Sequence, residues 1–266
     1  MRVACIVPCR AGSRRVPGKN LKPLHGKPLL SHVLEAAAAA RCFEESGKGK
    51  GNGAGQGNGS IVGCGVFVVS DDPSALDLAR SSAHNAGAIA IPASMAGADS
   101  PVLPVLTHAA DAIGAQLGAD LDAICYLRAT SPFVRPQSVR RAVCELLASR
   151  RRRLDAPEDC FDSVLGVVPV TGAHPSRFKR IDPGTGQLLD AFPEFPEGRV
   201  PQRSETLRAF QRNSAVTACW METLRGGSLW GDRAKAMVMD EIESVDINTP
   251  LEFEFAEFLS ARRLIL

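Results

Sequence analysis

Apolar positions fall in short unbroken runs separated by longer stretches of helical periodicity. Residues 3–7 form the first run and read as a buried strand. Residues 30–42, apolar and alanine-rich, predict a helix. A short strand at 66–69, a helix to about residue 86, a third strand at 88–91 and a helix over 102–117 follow. Residues 122–127 read as the central strand by their β-branched and aromatic content. After it come a helix from Pro136 into the arginines at 150–153, strands at 163–170, 215–220 and 236–239, and a closing amphipathic helix over 251–263. Pro250 suits the first turn of that helix, with Thr249 available as its cap. Strands alternating with helices at this spacing predict an α/β fold: one mostly parallel sheet with helices on both faces.

Two stretches break the alternation. From Gly47 to Gly59 every odd position is glycine, interleaved with polar residues. Such a segment buries no core, so residues 45–63 are read as a flexible insertion. It fits neither phosphate-loop pattern, and it precedes a strand where a phosphate loop would follow one. The proline-rich stretch 170–205 is too long to be a plain connection and reads as a functional or interface excursion.

Composition adds limits. With 45% hydrophobic and 23% charged residues the 266-residue chain is an ordinary globular sequence, read as a single domain. A net charge of +2 gives no reason to expect nucleic acid or a membrane as a bulk partner. The four arginines at 150–153 sit at a helix C-terminus, where the dipole favours cations. No run approaches the length of a membrane span and no secretory pattern follows Arg2, so the cytoplasm is the expected location. Eight cysteines lie scattered without a C-x-x-C, which points to reduced, buried thiols.

Charge is concentrated in one place. Between Met1 and Leu34 there is no Asp or Glu, while Arg10, Arg14, Arg15, Lys19, Lys22 and Lys27 crowd the loop after the first strand. Gly12 and Gly18 let backbone approach a ligand, and Pro17 stiffens the turn that aims Lys19. A cationic loop at the carboxyl end of a parallel strand calls for a polyanion such as a nucleotide.

The stretch from Pro8 to Leu29 resembles the opening motif of the acylneuraminate cytidylyltransferases, P-x-R-A-G-S-x-x-x-P-G-K-N-L-x-P-L-x-G-K-P-L, with Cys9 where alanine is usual. Further matches are Ser70-Asp71-Asp72-Pro73, Thr130-Ser131-Pro132, Asn213, and the closing stretch from Ser244 to Thr249. The resemblance implies a Rossmann-like fold of the nucleotide-diphospho-sugar transferase type, a homodimer packed through the excursion, and transfer of CMP from CTP to a sialic-acid-like keto-acid sugar. Arg10, Ala11, Gly12, Ser13, Lys19, Asn20, Ser70 and Asp71 would serve the nucleotide, with Arg10, Lys19 and Asp246 carrying the catalytic charge. Asp246 matches a metal-binding aspartate and Asn248 replaces its partner, which implies magnesium. Arg128, Thr130, Ser131, Arg203 and Asn213 would face the acidic sugar. Three departures stand out: Arg128 in place of a sugar-facing glutamine, Ser214 in place of glycine, and Asn248 in place of aspartate. They keep two alternatives open at this point, a nucleotidyltransferase for another sugar or sugar 1-phosphate, and an inactive nucleotide-binding relative. Asp71, Asp72, Asp246 and Asn248 also suit turns and caps.

Overall fold

A computed structural model of the protein describes residues 1–13, 15–43, 62–81, 85–97, 100–151, 160–170, 175–196 and 209–262. Residues 45–61 of the glycine-rich insertion and Arg203 lie outside the described residues, while Val62 and Gly63, read as its end, instead open a strand paired with Arg2 and Val3. In chain order the elements are β1 (Arg2–Pro8), β2 (Pro23–Leu24), β3 (Lys27–Pro28), α1 (Leu29–Ala39), β4 (Val62–Ser70), α2 (Pro73–Ser81) and β5 (Gly87–Ala90). Next come α3 (Val102–Leu117), β6 (Ala123–Leu127), α4 (Pro136–Arg151), β7 (Ser163–Pro169), β8 (Lys179–Ile181) and β9 (Leu188–Asp190). The last are β10 (Phe210–Trp220), α5 (Met221–Arg225), β11 (Ala234–Val238) and α6 (Pro250–Ala261).

Among the described residues, seven strands form one sheet in the order β11-β7-β10-β6-β1-β4-β5. All neighbours are parallel except β10, which runs against both β6 and β7. The mostly parallel sheet expected from the alternation is therefore present. Period-two alternation builds both faces: Val3, Cys5 and Val7 join the core under α1, α2 and α4, while Ala4 and Ile6 join the one under α3 and α5. Successive strands after β1 step outward through β4 to β5, and the chain then returns to β6 on the other side of β1. That reversal opens a crevice at the carboxyl ends of β1 and β6, where open α/β sheets bind ligands.

A third, smaller cluster matters more for function. Leu24 and Leu29 beside the short β2–β3 hairpin meet Phe133, Ile247 and three α6 side chains, Phe253, Ala256 and Leu259. It clamps the last helix onto the opening loop. Thr249 and Glu252 start α6 with a reciprocal capping box, Glu252 Oε2 accepting from the Thr249 amide at 2.8 Å.

Element ends differ from the sequence expectations by a few residues, as fraying predicts. Larger differences are four. The β2–β3 and β8–β9 hairpins and α5 are too short for periodicity to reveal, and β10 begins five residues before 215, at Phe210. That extension holds a bulge: β10's register slips between Arg212 and Thr217. Asn213 spans the slip, its Oδ1 accepting from the Ala215 amide at 3.1 Å and its Nδ2 donating to Ser244 Oγ at 2.9 Å. Gly166 faces it, where a Cβ would lie 2.5 Å from Asn213 Oδ1. Ser214 sits inside the bulge at φ 59, in the left-handed region.

Relief of that backbone is worth about 1–2 kcal/mol, more than the roughly 0.4–1 kcal/mol by which glycine's freedom favours the unfolded chain. Ser214→Gly is expected to raise the thermal midpoint; a lowered midpoint in calorimetry would mean that the serine side chain stabilises the bulge.

Candidate active site

A cavity of about 480 Å³ fills the crevice. From the opening loop it is lined by Arg10, Gly12, Ser13, Arg15, Lys19 and Asn20. Tyr126, Arg128 and Thr130 contribute from the end of β6, and Asn248 from the segment before α6. Ile91, Met95, Val102 and Val105 add apolar lining. The lining thus combines cations with apolar surface, which suits a phosphorylated ligand with a planar group.

The loop keeps its shape through bonds to its neighbours. Gly18, at φ 61, opens a short helical turn over Lys19–Leu21, a conformation glycine adopts without strain. Lys19 Nζ then donates to the Ile247 carbonyl at 2.6 Å. Arg10 Nη1 donates to the Gly97 carbonyl at 2.8 Å, and Asn20 Nδ2 to the Arg10 carbonyl at 3.0 Å. Burial, more than anything else, pushes the Lys19 ammonium below its usual range, and Arg15 and Arg10 push the same way against Asp246 and Glu252.

Ser70 and Asp71 hold the loop from behind and are not among the residues lining the cavity. The Ser70 hydroxyl, fully buried, donates to the Cys9 carbonyl and accepts from the Asp72 amide at 2.9 Å. Asp71 Oδ1 accepts from the Ala11 amide at 2.9 Å. Cys9 itself is packed in the core, and burial first, then Asp72, pushes its thiol up to about 12. It stays protonated and is no nucleophile.

On the other side stands Asp246. One carboxylate oxygen accepts from Arg128 Nη1 at 3.1 Å and from Asn248 Nδ2 at 2.9 Å; the other accepts from the Thr130 hydroxyl. The Ile247 amide donates to the Thr130 carbonyl at 2.9 Å, locking this segment to the end of β6. Arg128 is the least satisfied member: its Nε is buried with no partner. Ser131 is fully buried, its Oγ also without a partner, and it does not reach the cavity. Asn213 is spent on the β10 bulge. Sequence reasoning gave no notice of Glu243, whose buried carboxylate accepts from the Arg135 amide at 3.0 Å and pins the 240–245 segment to the start of α4. It is one of several acidic residues in the run from Asp240 to Asp246, and only its tertiary partner Arg135 singles it out.

As hard oxygen donors, Asp246 and the Asn248 amide suit magnesium, which takes one or two carboxylates and fills its remaining positions with water and substrate phosphates. No cluster of three His, Cys, Asp or Glu forms among the described residues. The pair fits a cation that shares its shell with a triphosphate, and does not make a cage for a free ion.

Comparison with known proteins agrees with the geometry. Residues 4–170 match the family described as Cytidylyltransferase. The chain is 27% identical over 272 residues to the CMP-N,N'-diacetyllegionaminic acid synthase of Legionella pneumophila, covering 97% of this chain and 96% of that one. It is 30% identical over 148 residues to the 8-amino-3,8-dideoxy-manno-octulosonate cytidylyltransferase of Shewanella halifaxensis, 54% of this chain and 48% of the other. Among solved structures, CMP:2-keto-3-deoxy-manno-octonic acid synthetase complexed with CTP superposes with a TM-score of 0.59 at 17% identity, covering 98% of this chain and 99% of that one. That likeness shows a shared Rossmann-like fold.

Losing one charge-assisted contact costs about 1.5–3 kcal/mol. Lys19→Ala and Arg10→Ala are each expected to weaken triphosphate binding by on the order of tenfold to a hundredfold, read by calorimetry, with unchanged circular dichroism. Because Lys19 titrates low in the ligand-free protein, affinity falls as pH rises through its depressed pKa, and Lys19→Arg keeps its affinity to higher pH. Identical alkaline limbs for the wild type and Lys19→Arg would remove Lys19 from the anion site.

Proposed function

Starting from the fact that this chain belongs to the cytidylyltransferase family, we propose that it transfers CMP from CTP to the anomeric hydroxyl of a sialic-acid-like keto-acid sugar, releasing pyrophosphate. The observation that carries this reading is the lining of the cavity at the β1/β6 crevice, which brings together the cationic loop, the apolar side chains of Ile91, Met95, Val102 and Val105, and Arg128. It is supported by the likeness, over 97% of this chain, to a CMP-N,N'-diacetyllegionaminic acid synthase.

In this reading Arg10 and Lys19 hold the β- and γ-phosphates, and backbone around Gly12 and Ser13 approaches them closely. The cytosine lies against Ile91, Met95 and Val105. The acceptor hydroxyl attacks the α-phosphorus and gives up its proton to solvent, a P–O bond forms, and the bond to the β-phosphate oxygen breaks with its electron pair leaving on pyrophosphate. Positioning and fixed positive charge do most of the work in such a transfer. Asp246 and Asn248 would hold magnesium, which supplies neutralisation of the triphosphate when bound. Arg128 and Thr130 face the acid sugar. No histidine lines the cavity among the described residues.

We also read the chain as a homodimer joined through the 170–205 excursion. Its described part carries an apolar face: Ile181 and Leu188, paired across β8 and β9, are 69% and 63% exposed, and Phe178 packs edge-on against Phe192 at 6.1 Å. Exposed apolar surface of this kind marks interfaces. All eight cysteines are free, and together with the use of CTP this supports a cytoplasmic location. Among the described residues no helix is long and apolar enough to cross a membrane.

Incubated with each nucleoside triphosphate, magnesium, and a panel of nonulosonic acids and sugar 1-phosphates, the protein is expected to release pyrophosphate with CTP and a nonulosonic acid alone. Release with a sugar 1-phosphate would overturn the acceptor assignment, and CTP binding without turnover on any acid would mark an inactive relative. Light scattering should report a dimer, and the Ile181→Glu, Leu188→Glu double variant a monomer; an unchanged dimer would move the interface elsewhere.

A further inference from the structure

Arg128 and Asp246 are separated by 118 residues and form an ion pair at the cavity edge, with side chains 35% and 19% exposed. Each has a second claim on it. Asp246 is the only carboxylate in the segment that would serve a divalent cation, and one of its oxygens is taken by the guanidinium. Arg128 lines the cavity, and its Nε is buried without a partner in the ligand-free chain, an uncompensated donor that costs stability. A ligand can reach Nε only if the guanidinium turns, and turning it breaks the Nη1 bond to Asp246.

We propose that Arg128 is a latch on Asp246: the carboxylate of the acidic acceptor draws the guanidinium into a two-pronged grip, and Asp246 is thereby released to the cation that accompanies the triphosphate. This rests on the function proposed above and names how its two substrates communicate. The ligand-free ion pair is exchanged for two others. Arg128 passes from Asp246 to the acceptor's carboxylate, and Asp246 passes from Arg128 to the divalent cation. Either half alone strands a half-buried charge, which is expensive. Acid and cation therefore bind cooperatively, and reciprocity requires that each strengthen the other equally. Arg212, at the β10 bulge, lies close enough for its own charge to be disfavoured, by burial first and by Arg128 next. A second positive charge thus stands near Arg128, its guanidinium over the Trp230 ring at 4.6 Å, and an anion bound by Arg128 relieves their mutual repulsion.

The test needs no turnover. CTP affinity is measured by calorimetry with magnesium and with EDTA, and the ratio gives the enhancement due to the cation. For the wild type that ratio should be small, because Arg128 competes. In Arg128→Gln it should rise on the order of tenfold, while Arg128→Lys, which keeps a cation against Asp246, should stay near the wild-type value and controls for damage to the fold. Asp246→Asn should show little enhancement, and adding Arg128→Gln to it should restore none. In the wild type, 2,3-dehydro-2-deoxy-N-acetylneuraminic acid, an acid sugar without the attacking hydroxyl, should raise the ratio, with no effect in Arg128→Gln. An unchanged ratio in Arg128→Gln would overturn the latch. Should every acid fail to release pyrophosphate while Arg128→Gln still raises the ratio, the acceptor assignment falls and competition between Arg128 and the cation stands.

Discussion

Asp246 is a carboxylate that has lost most of its water, and the architecture around the cavity follows from keeping it partnered. A half-buried anion must be hydrogen-bonded and offset by positive charge. Arg128 and Thr130 come from the end of β6, and Asn248 from the same short segment, so the bonds that satisfy the charge also tie the pre-α6 segment to the sheet. Lys19 reaches over from the opening loop to the carbonyl of the very next residue, Ile247. Three pieces of chain far apart in sequence are thus held within one small volume by one electrostatic requirement.

Packing supplies what the charges cannot. The small cluster of Leu24, Leu29, Phe133, Ile247 and the inner face of α6 presses the opening hairpin and the last helix together. Lys22 adds its ammonium 3.9 Å above the Phe253 ring. Behind the loop, Ser70 and Asp71 tie it to the end of β4. A polyanion site built this way is preorganised, its cations fixed before any ligand arrives, which spares the ordering cost that flexible loops incur on binding.

The fold was legible in the sequence because long apolar runs and helical periods repeat over many residues, as at 3–7 and 102–117. Elements of two or three residues, such as Pro23–Leu24, leave too few positions for any period to register. The cationic loop was legible from Arg10 and Lys19, whose charge has no acidic neighbour in the surrounding sequence. Less visible was the division of labour among matched residues. Ser70, Asp71 and Asn213 carry motif positions, yet their polar atoms are taken up by other groups of the protein itself, and only the tertiary partners reveal that. The Arg128–Asp246 pair escaped for the same reason: nothing local connects two residues so far apart. What the sequence did show was that both positions depart from, or adjoin departures from, a familiar pattern, and the structure finds those departures in contact.

The bond between Lys19 and Ile247 closes a loop of 228 residues. The entropic cost of closing a loop rises only slowly with its length, and a contact this distant is therefore little burden to the fold. What the contact does is make the cavity a joint product of the opening loop and the segment before the last helix, incomplete until α6 has docked.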